Sequence, residues 1–293
     1  PVRAMTAAME KAYAKLNLSL DVLGKRPDGF HDLRMVMQSA ALCDDVHVTL
    51  TNGGFSAETD RDYIPCDDRN SALKAAKAFF AAAGIRDGGA AIRIKKRIPV
   101  CAGLGGGSSD AAAVLRALNR LTGAGLSARQ LEAVAEGVGS DVPFCVSGGT
   151  ALAQGRGERI TPLPPLPACA VVICMPNFTA STPELFSRIG SRASRCRPDT
   201  DGMVKAIEAG DLAGAARRMY NVFEDVLGRR AADVRGMKNR LLDSGALGAV
   251  MSGTGSAVFG LFETDSAAAK ARDALAEGCR EVFLTRIQGS VMG

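Results

Sequence analysis

Residues 99–119 read PVCAGLGGGSSDAAAVLRALN, a run of glycines followed by two hydroxyls and then a helical pattern. Gly103, Gly105, Gly106 and Gly107 leave backbone N–H groups uncovered and can adopt positive φ. Ser108 or Ser109 suits the N-cap of the helix, Asp110 its first turn, and Ala111, Val114, Leu115, Leu118 and Leu121 form one apolar stripe at helical spacing. Free N–H groups and the positive end of a helix dipole meet at one place, so the expected chemistry is the holding of a phosphate. An ordinary flexible turn is the alternative that the residues leave open. Two further places could act on what such a loop holds. Over residues 12–22 apolar and polar positions alternate, which makes a strand whose one face projects Lys15 and Asn17 roughly 7 Å apart. Those polar residues are either functional or a solvated face. In GSDVPF, residues 139–144, Asp141 stands in a glycine turn, where it is either a turn residue or a carboxylate placed to take a proton.

Familiar phosphate loops do not fit. A Walker loop needs Lys after its last glycine, and here Ser108 and Ser109 follow Gly107. The dinucleotide fingerprint needs glycine at position 108 and a hydrophobic strand ahead of it, whereas the segment before Pro99 is charged. The stretch instead resembles the second motif of the GHMP kinases (galactokinase, homoserine kinase, mevalonate and phosphomevalonate kinases), in which a proline precedes Gly-Leu-Gly-Ser-Ser-Ala-Ala at a helix start. Gly106 and Gly107 are additional to that pattern, and Asp110 precedes the alanines. Both departures are typical of one branch, the diphosphocytidyl-methylerythritol kinases of the non-mevalonate isoprenoid pathway. AKLNLSLDVLGKRPDGFHDL, residues 14–33, is similar to that branch's opening signature, with Phe30 where Tyr often stands. GSDVPF resembles its Gly-Ala/Ser-Asp-Val-Pro-Phe, and MPNFTASTPELF, residues 175–186, resembles its loop carrying Thr182 and Phe186. SGTGS, residues 252–256, resembles the third kinase motif, and Asn221 to Glu224 is similar to an Asn-Asp-Leu-Glu segment to which no role is assigned.

Composition bounds the rest. With 293 residues, 47% of them hydrophobic, the chain can bury more than one core, so two domains are expected, residues 1–160 and 161–293. The proline-rich TPLPPLP, residues 161–167, reads as the linker. Apolar runs stop well short of the ~20 residues that span a bilayer, and no signal-peptide pattern opens the chain, so a soluble protein with no membrane partner is expected. The absence of an initial Met makes residues 1–11 look like a truncated or tagged start, with structure beginning after them. The scattered cysteines form no CxxC pair and only two histidines could join them, which fits reduced thiols in a cytoplasm. A net charge of +5 is mild, and the basic runs at residues 93–97 and 188–197 lack interleaved aromatics, so they are read as solvated faces and no nucleic acid is expected.

The remaining pattern predicts a turn at residues 26–30, a strand at 46–50, an irregular polar stretch at 51–69, and a helix capped by Asn70 and closed by Gly84. It continues with a strand at 90–98, a helix opened by the Ser127–Gln130 capping box, and a buried strand at 170–175. Helical patterns at 201–219 and 231–242, strand-turn-strand over 246–262, a helix at 266–277 and a strand at 282–287 complete an α+β class.

The resemblance implies the two-domain GHMP kinase fold, a ribosomal-protein-S5-like N-terminal domain and a ferredoxin-like C-terminal domain with the active site between them. It implies ATP-dependent phosphorylation of the methylerythritol 2-hydroxyl in its cytidine diphosphate conjugate, a small-molecule substrate. Pro99, Val100, Cys101, Ala102, Gly103, Leu104, Gly105, Gly106, Gly107, Ser108 and Ser109 would cradle ATP. Asp141 would accept the hydroxyl proton beside Lys15. Asn17, Phe30, His31, Thr182 and Phe186 would bind substrate, with Phe30 and Phe186 sandwiching the cytosine and His31 reading its edge. Phe186 could equally be core packing. Mg²⁺ is expected on chemical grounds, with no ligands legible in the sequence.

Overall fold

In the computed structural model residues 6–189 and 196–292 are described. The chain opens with a long antiparallel hairpin, β1 (Ala7–Lys25) and β2 (His31–Thr51), around the turn whose Gly29 has φ 86°. β1 starts earlier than the alternation suggests, because Ala7 to Lys11 pair with Thr49 to Asp45 of β2 and Ala8 is buried. β3 (Gly53–Thr59) follows, then α1 (Ser71–Ala82), β4 (Gly88–Lys95), α2 (Gly106–Thr122), α3 (Ala128–Glu136), α4 (Val142–Ser147), β5 (Thr150–Gly155) and β6 (Arg159–Pro162). β3 occupies a stretch expected to be irregular. It is an edge strand joined in parallel to β4 by its main chain, and Ala57 is its only buried residue, so side-chain alternation carries little signal.

The second half comprises β7 (Ala170–Met175), α5 (Thr182–Ile189), α6 (Thr200–Glu208), α7 (Leu212–Ala216), the short β8 (Tyr220–Asn221), α8 (Ala231–Asp243), β9 (Gly248–Met251), β10 (Val258–Phe262), α9 (Asp265–Ala276) and β11 (Glu281–Gln288). The helix expected over 201–219 is two helices, because Gly210 turns at φ 69° and Asp211 caps a new start through the N–H of Gly214. β9, β10, β7 and β11 pair antiparallel in spatial sequence. β11 then continues past β7, and its Ile287 and Gln288 pair with Ala40 and Ser39 of β2. One strand therefore belongs to both halves and joins them into a continuous sheet.

A buried cluster crosses the same seam, with Leu16, Leu18, Val36, Ile98 and Leu104 packed among Val171, Ile173, Phe259 and Leu261. The proline-rich segment is part of that packing. Pro162 ends β6, and Leu166 is buried with its N–H donated to the Thr150 hydroxyl at 3.1 Å. Both faces of β1 are consequently dry over residues 14–22. Lys15, Asn17, Ser19 and Asp21, the polar half of the alternation, are buried as thoroughly as the leucines between them. Among the described residues no helix is long and apolar enough to cross a membrane. All eight cysteines are free thiols.

Candidate functional site

A buried polar row needs partners, and those of β1 converge on the glycine loop. Lys15 is 4% exposed; its Nζ donates to Asn17 Oδ1 at 2.7 Å and stands 3.3 Å from Asp141 Oδ2. The adjacent alternate positions on β1 make the first contact possible, since they share a face. The backbone of Lys15 donates to Leu104 O at 2.9 Å, tying the strand to the loop. Asp141 precedes α4 at the N-cap position, yet its side chain makes no capping bond and is turned to Lys15 with 31% of its surface open.

The loop is shaped by contact as much as by flexibility. Gly103 has φ 76°, and a Cβ there would lie 2.0 Å from Ser252 O. Gly105 has φ 68°, and its Cβ would lie 2.6 Å from Lys15 Cγ. At Gly106 a Cβ would point inward, 3.2 Å from Ile98 Cγ2 and 3.3 Å from Lys96 Nζ. Gly105 is the N-cap of α2 and supplies no side chain to the first-turn N–H groups. The cap expected from Ser108 or Ser109 is absent. α2 begins earlier, at Gly106, so both serines lie inside its first turn, where the Ser109 hydroxyl donates instead to Tyr13 O at 2.5 Å. The uncapped start of a long helix is suited to an anion.

The second half presents its own glycine loop to the first. Ser252 Oγ accepts the backbone N–H of Asn17 at 3.2 Å and donates to Gly103 O at 2.9 Å, while Ala257 N donates to Ala102 O at 3.0 Å. Asn221 and Glu224, left without a role by the sequence, hold this loop from behind. Asn221 Nδ2 donates to Met251 O and Gly253 O, both at 2.7 Å, and Glu224 Oε1 accepts the Met251 N–H at 2.8 Å. Thr182, the first residue of α5, shares a hydroxyl–hydroxyl bond of 2.7 Å with Thr254.

The aromatic residues gather differently from a simple sandwich. His31 and Phe186 lie with ring centroids 4.9 Å apart at 30°, and Phe186 meets Phe223 edge-on at 4.9 Å. Phe30 is 52% exposed, with the Arg156 guanidinium 5.1 Å above its ring. Burial, with the Lys25 charge adding to it, pulls the His31 pKa below its ordinary value, which favours the neutral imidazole.

In the basic run 93–97 Arg93, Lys95 and Arg97 are exposed as a solvated face requires, but Lys96 is not: it is 6% exposed, and its ammonium bonds Asp44 Oδ2 at 2.6 Å and Asp110 Oδ2 at 2.5 Å. Lys96 follows the last residue of β4 and keeps the inward direction of Ile92 and Ile94, which a run of like charges hides. The other basic run, 188–197, lies largely outside the described residues.

Residues 70–149 match the family described as GHMP kinases N terminal domain, and residues 203–281 match GHMP kinases C terminal. The 4-diphosphocytidyl-2-C-methyl-D-erythritol kinase of Clostridium botulinum (strain Loch Maree / Type A3) is 42% identical over 278 residues, which cover 95% of this chain and 99% of that protein. A crystal structure of 4-(cytidine 5'-diphospho)-2C-methyl-D-erythritol kinase superposes with a TM-score of 0.79 at 33% identity, covering 96% of this chain and 100% of the other. Homoserine kinase from Cytophaga hutchinsonii shares the fold, with a TM-score of 0.78 at 21% identity over 99% of this chain and 97% of its own.

Proposed function

The chain belongs to the GHMP kinases and, within them, to the 4-diphosphocytidyl-2-C-methyl-D-erythritol kinases, and we propose that it transfers the γ-phosphoryl group of ATP to the 2-hydroxyl of 4-diphosphocytidyl-2-C-methyl-D-erythritol. The observation that carries the reading on this chain's own residues is the Lys15–Asp141 pair at the foot of an uncapped helix N-terminus. The N–H groups of residues 103–109 and the α2 dipole hold the ATP phosphates. Asp141, with part of its carboxylate open to the cleft, accepts the proton of the substrate hydroxyl, and the Lys15 ammonium stabilises charge on the attacking oxygen and the transferring group. Asn17 holds the Lys15 ammonium in place. Phosphoryl transfer asks for positioning and neutralisation, and these groups supply both.

The loop at residues 252–256 closes over the nucleotide side of the cleft, Thr182, bonded to Thr254 of that loop, binds substrate, and the rings of Phe30, His31 and Phe186 receive the cytosine. With ring centroids 4.9 Å apart, His31 and Phe186 leave no room for a base between them, so a base stacked on that face of Phe186 takes the place of the His31 ring. The donor set fits Mg²⁺ delivered with the nucleotide. Among the described residues no three His, Cys, Asp or Glu side chains cluster to hold a metal, and Mg²⁺ takes one or two protein oxygens together with phosphates and water. Ser108 would hold it, and it would supply neutralisation of phosphate charge, which leaves Asp141 to take the proton.

A coupled ADP-release assay over candidate alcohols tests this. The cytidine diphosphate conjugate should be the preferred acceptor. Equal turnover of a uridine diphosphate conjugate, or efficient phosphorylation of free methylerythritol, mevalonate or homoserine, would remove the cytosine site from the account.

A further inference from the structure

α5 has a second face that the proposed transfer does not use. Thr182 and Phe186, four residues apart, point to the 252–256 loop and to His31 and Phe223, whereas Glu184, Leu185 and Arg188 turn the other way and wall a cavity of about 470 Å³. Residues 178–181 close one side of it, and Leu227, Arg229 and Arg230 the other. A small-molecule site runs from about 300 to 1,000 Å³, so the space suits an organic ligand better than a few waters. None of its described lining residues has a part in the transfer, and it shares no residue with the loops at 103–109 and 252–256.

The walls are fixed before a ligand arrives. Phe178 O accepts the Ser256 hydroxyl at 2.8 Å, Arg188 Nη1 donates to Val226 O at 3.1 Å, and Phe178, Leu185 and Leu227 are buried. A preformed cavity spares its occupant the cost of ordering the walls. The lining is cationic. Arg188, Arg229 and Arg230 meet one carboxylate inside the cavity, Glu184, which pairs with Arg188 at 2.5 Å, and Asp233 reaches Arg230 from outside the lining at 3.6 Å. Three guanidinia against two carboxylates leave one positive charge unbalanced, and residues 190–195, GSRASR, contain no acid. The Arg230 guanidinium lies 4.8 Å over the Phe178 ring, a contact that keeps it in the wall. Arg229 is exposed, and its side chain has no hydrogen bond or ion pair to any described residue.

The geometry points to a second ligand site, one that takes a small molecule by its phosphoryl group. Arg229 and Arg230 clamp the phosphate, because a guanidinium offers paired N–H donors in the spacing of phosphoryl oxygens. The Thr179 and Ser181 hydroxyls in the same lining add donors, and Leu185 and Leu227 give the rest of the ligand an apolar floor. The inference stands independently of the proposed transfer.

Inorganic pyrophosphate, titrated calorimetrically into the unmodified protein with EDTA present, is the probe. The protein should bind at least one pyrophosphate that Arg229→Gln and Arg230→Gln each weaken about tenfold or more, while ADP affinity and the KM for the cytidine conjugate stay within about twofold. If Arg230→Gln melts early for want of its contact with Phe178, Arg229→Gln, which loses no such contact, carries the test. Arg235→Gln, an exposed arginine outside the lining, should leave pyrophosphate binding unchanged. No binding of pyrophosphate, or binding untouched by Arg229→Gln, would overturn the inference. So would equal weakening by Arg235→Gln, which would reduce the effect to bulk charge. A parallel loss of ADP or cytidine-conjugate binding in Arg229→Gln would also overturn it, by making the cavity an arm of the transfer site. Should ADP not bind the unmodified protein at all, the nucleotide reading falls while the pyrophosphate measurement still decides this one.

Discussion

Lys15 and Lys96 stand on opposite sides of one glycine loop, Lys15 against Gly105 and Lys96 against Gly106, and both are nearly dry at 4% and 6% exposure. Their partners differ. Lys15 faces a carboxylate 3.3 Å away that keeps 31% of its surface open, whereas Lys96 is clamped at 2.6 and 2.5 Å between carboxylates that are 0% and 6% open. An open, loosely held pair can exchange its partner for a substrate oxygen without a large desolvation cost. A closed triad cannot, because removing one member strands buried charge. Two lysines in similar burial are thereby held differently, and the proposed function gives the reacting atoms to the open one and the floor beneath them to the closed one.

The sharpest way to break this contrast is to neutralise the open carboxylate. Asp141→Asn should lower kcat by about 10² to 10⁴, the contribution of a general base, with Tm within a few degrees of the unmodified protein. Steady-state kinetics beside a thermal melt measure both, and an unchanged kcat would return Asp141 to the role of a turn residue. The closed side should respond in the opposite sense. Lys96→Met leaves two buried carboxylates without their cation and should cost about 3 to 5 kcal/mol of unfolding free energy by urea titration. A variant as stable as its parent would show that the triad is not the closed unit its distances describe.

Away from the lysines the contrast becomes one of stacking against packing. Phe186→Ala should lose about 1 to 3 kcal/mol of binding for the cytidine conjugate, borrowing the scale of base stacking on aromatics, while ADP binds as before. If its contacts with His31 and Phe223 are only core packing, the loss appears instead in the melt, at the scale of about 3 to 5 kcal/mol for an emptied aromatic site. The smallest effect is expected at Asp45, which follows Asp44 but pairs outward with Lys11 and Arg97. Hydrogen bonds from Arg97 and then Lys11 hold its pKa at about 2, below the ordinary 3.8. A depressed carboxylate stabilises the fold above the unfolded value and loses that contribution as pH falls toward the folded one. Asp45→Asn should therefore lower Tm slightly at pH 7, and the gap to the unmodified protein should close as pH falls from 4 to about 2.

What the sequence determined by itself was local. Alternation in β1, the capping residues Asn70 and Ser127, the glycine run and the order of the motifs specify most elements, because each depends on neighbours within a few residues. Lys15, Asn17 and Asp141 were singled out through their motifs, and strand geometry put the first two on one face about 7 Å apart without implying the bond between their side chains. Only tertiary structure decided that the polar face of β1 is buried, since that required the second half to bring Ser252 to Asn17 and Gly103. It decided equally that Gly103 must be glycine against Ser252, that Asn221 and Glu224 brace the second loop, and that Ser109 turns away from the cap toward Tyr13. The Asp44–Lys96–Asp110 knot joins residues from a strand, a loop and a helix start, separated by 52 and 14 positions from the lysine. Charges that distant in the chain look solvated one at a time. They are recognisable as a unit only where folding removes the water between them and leaves each as the others' partner.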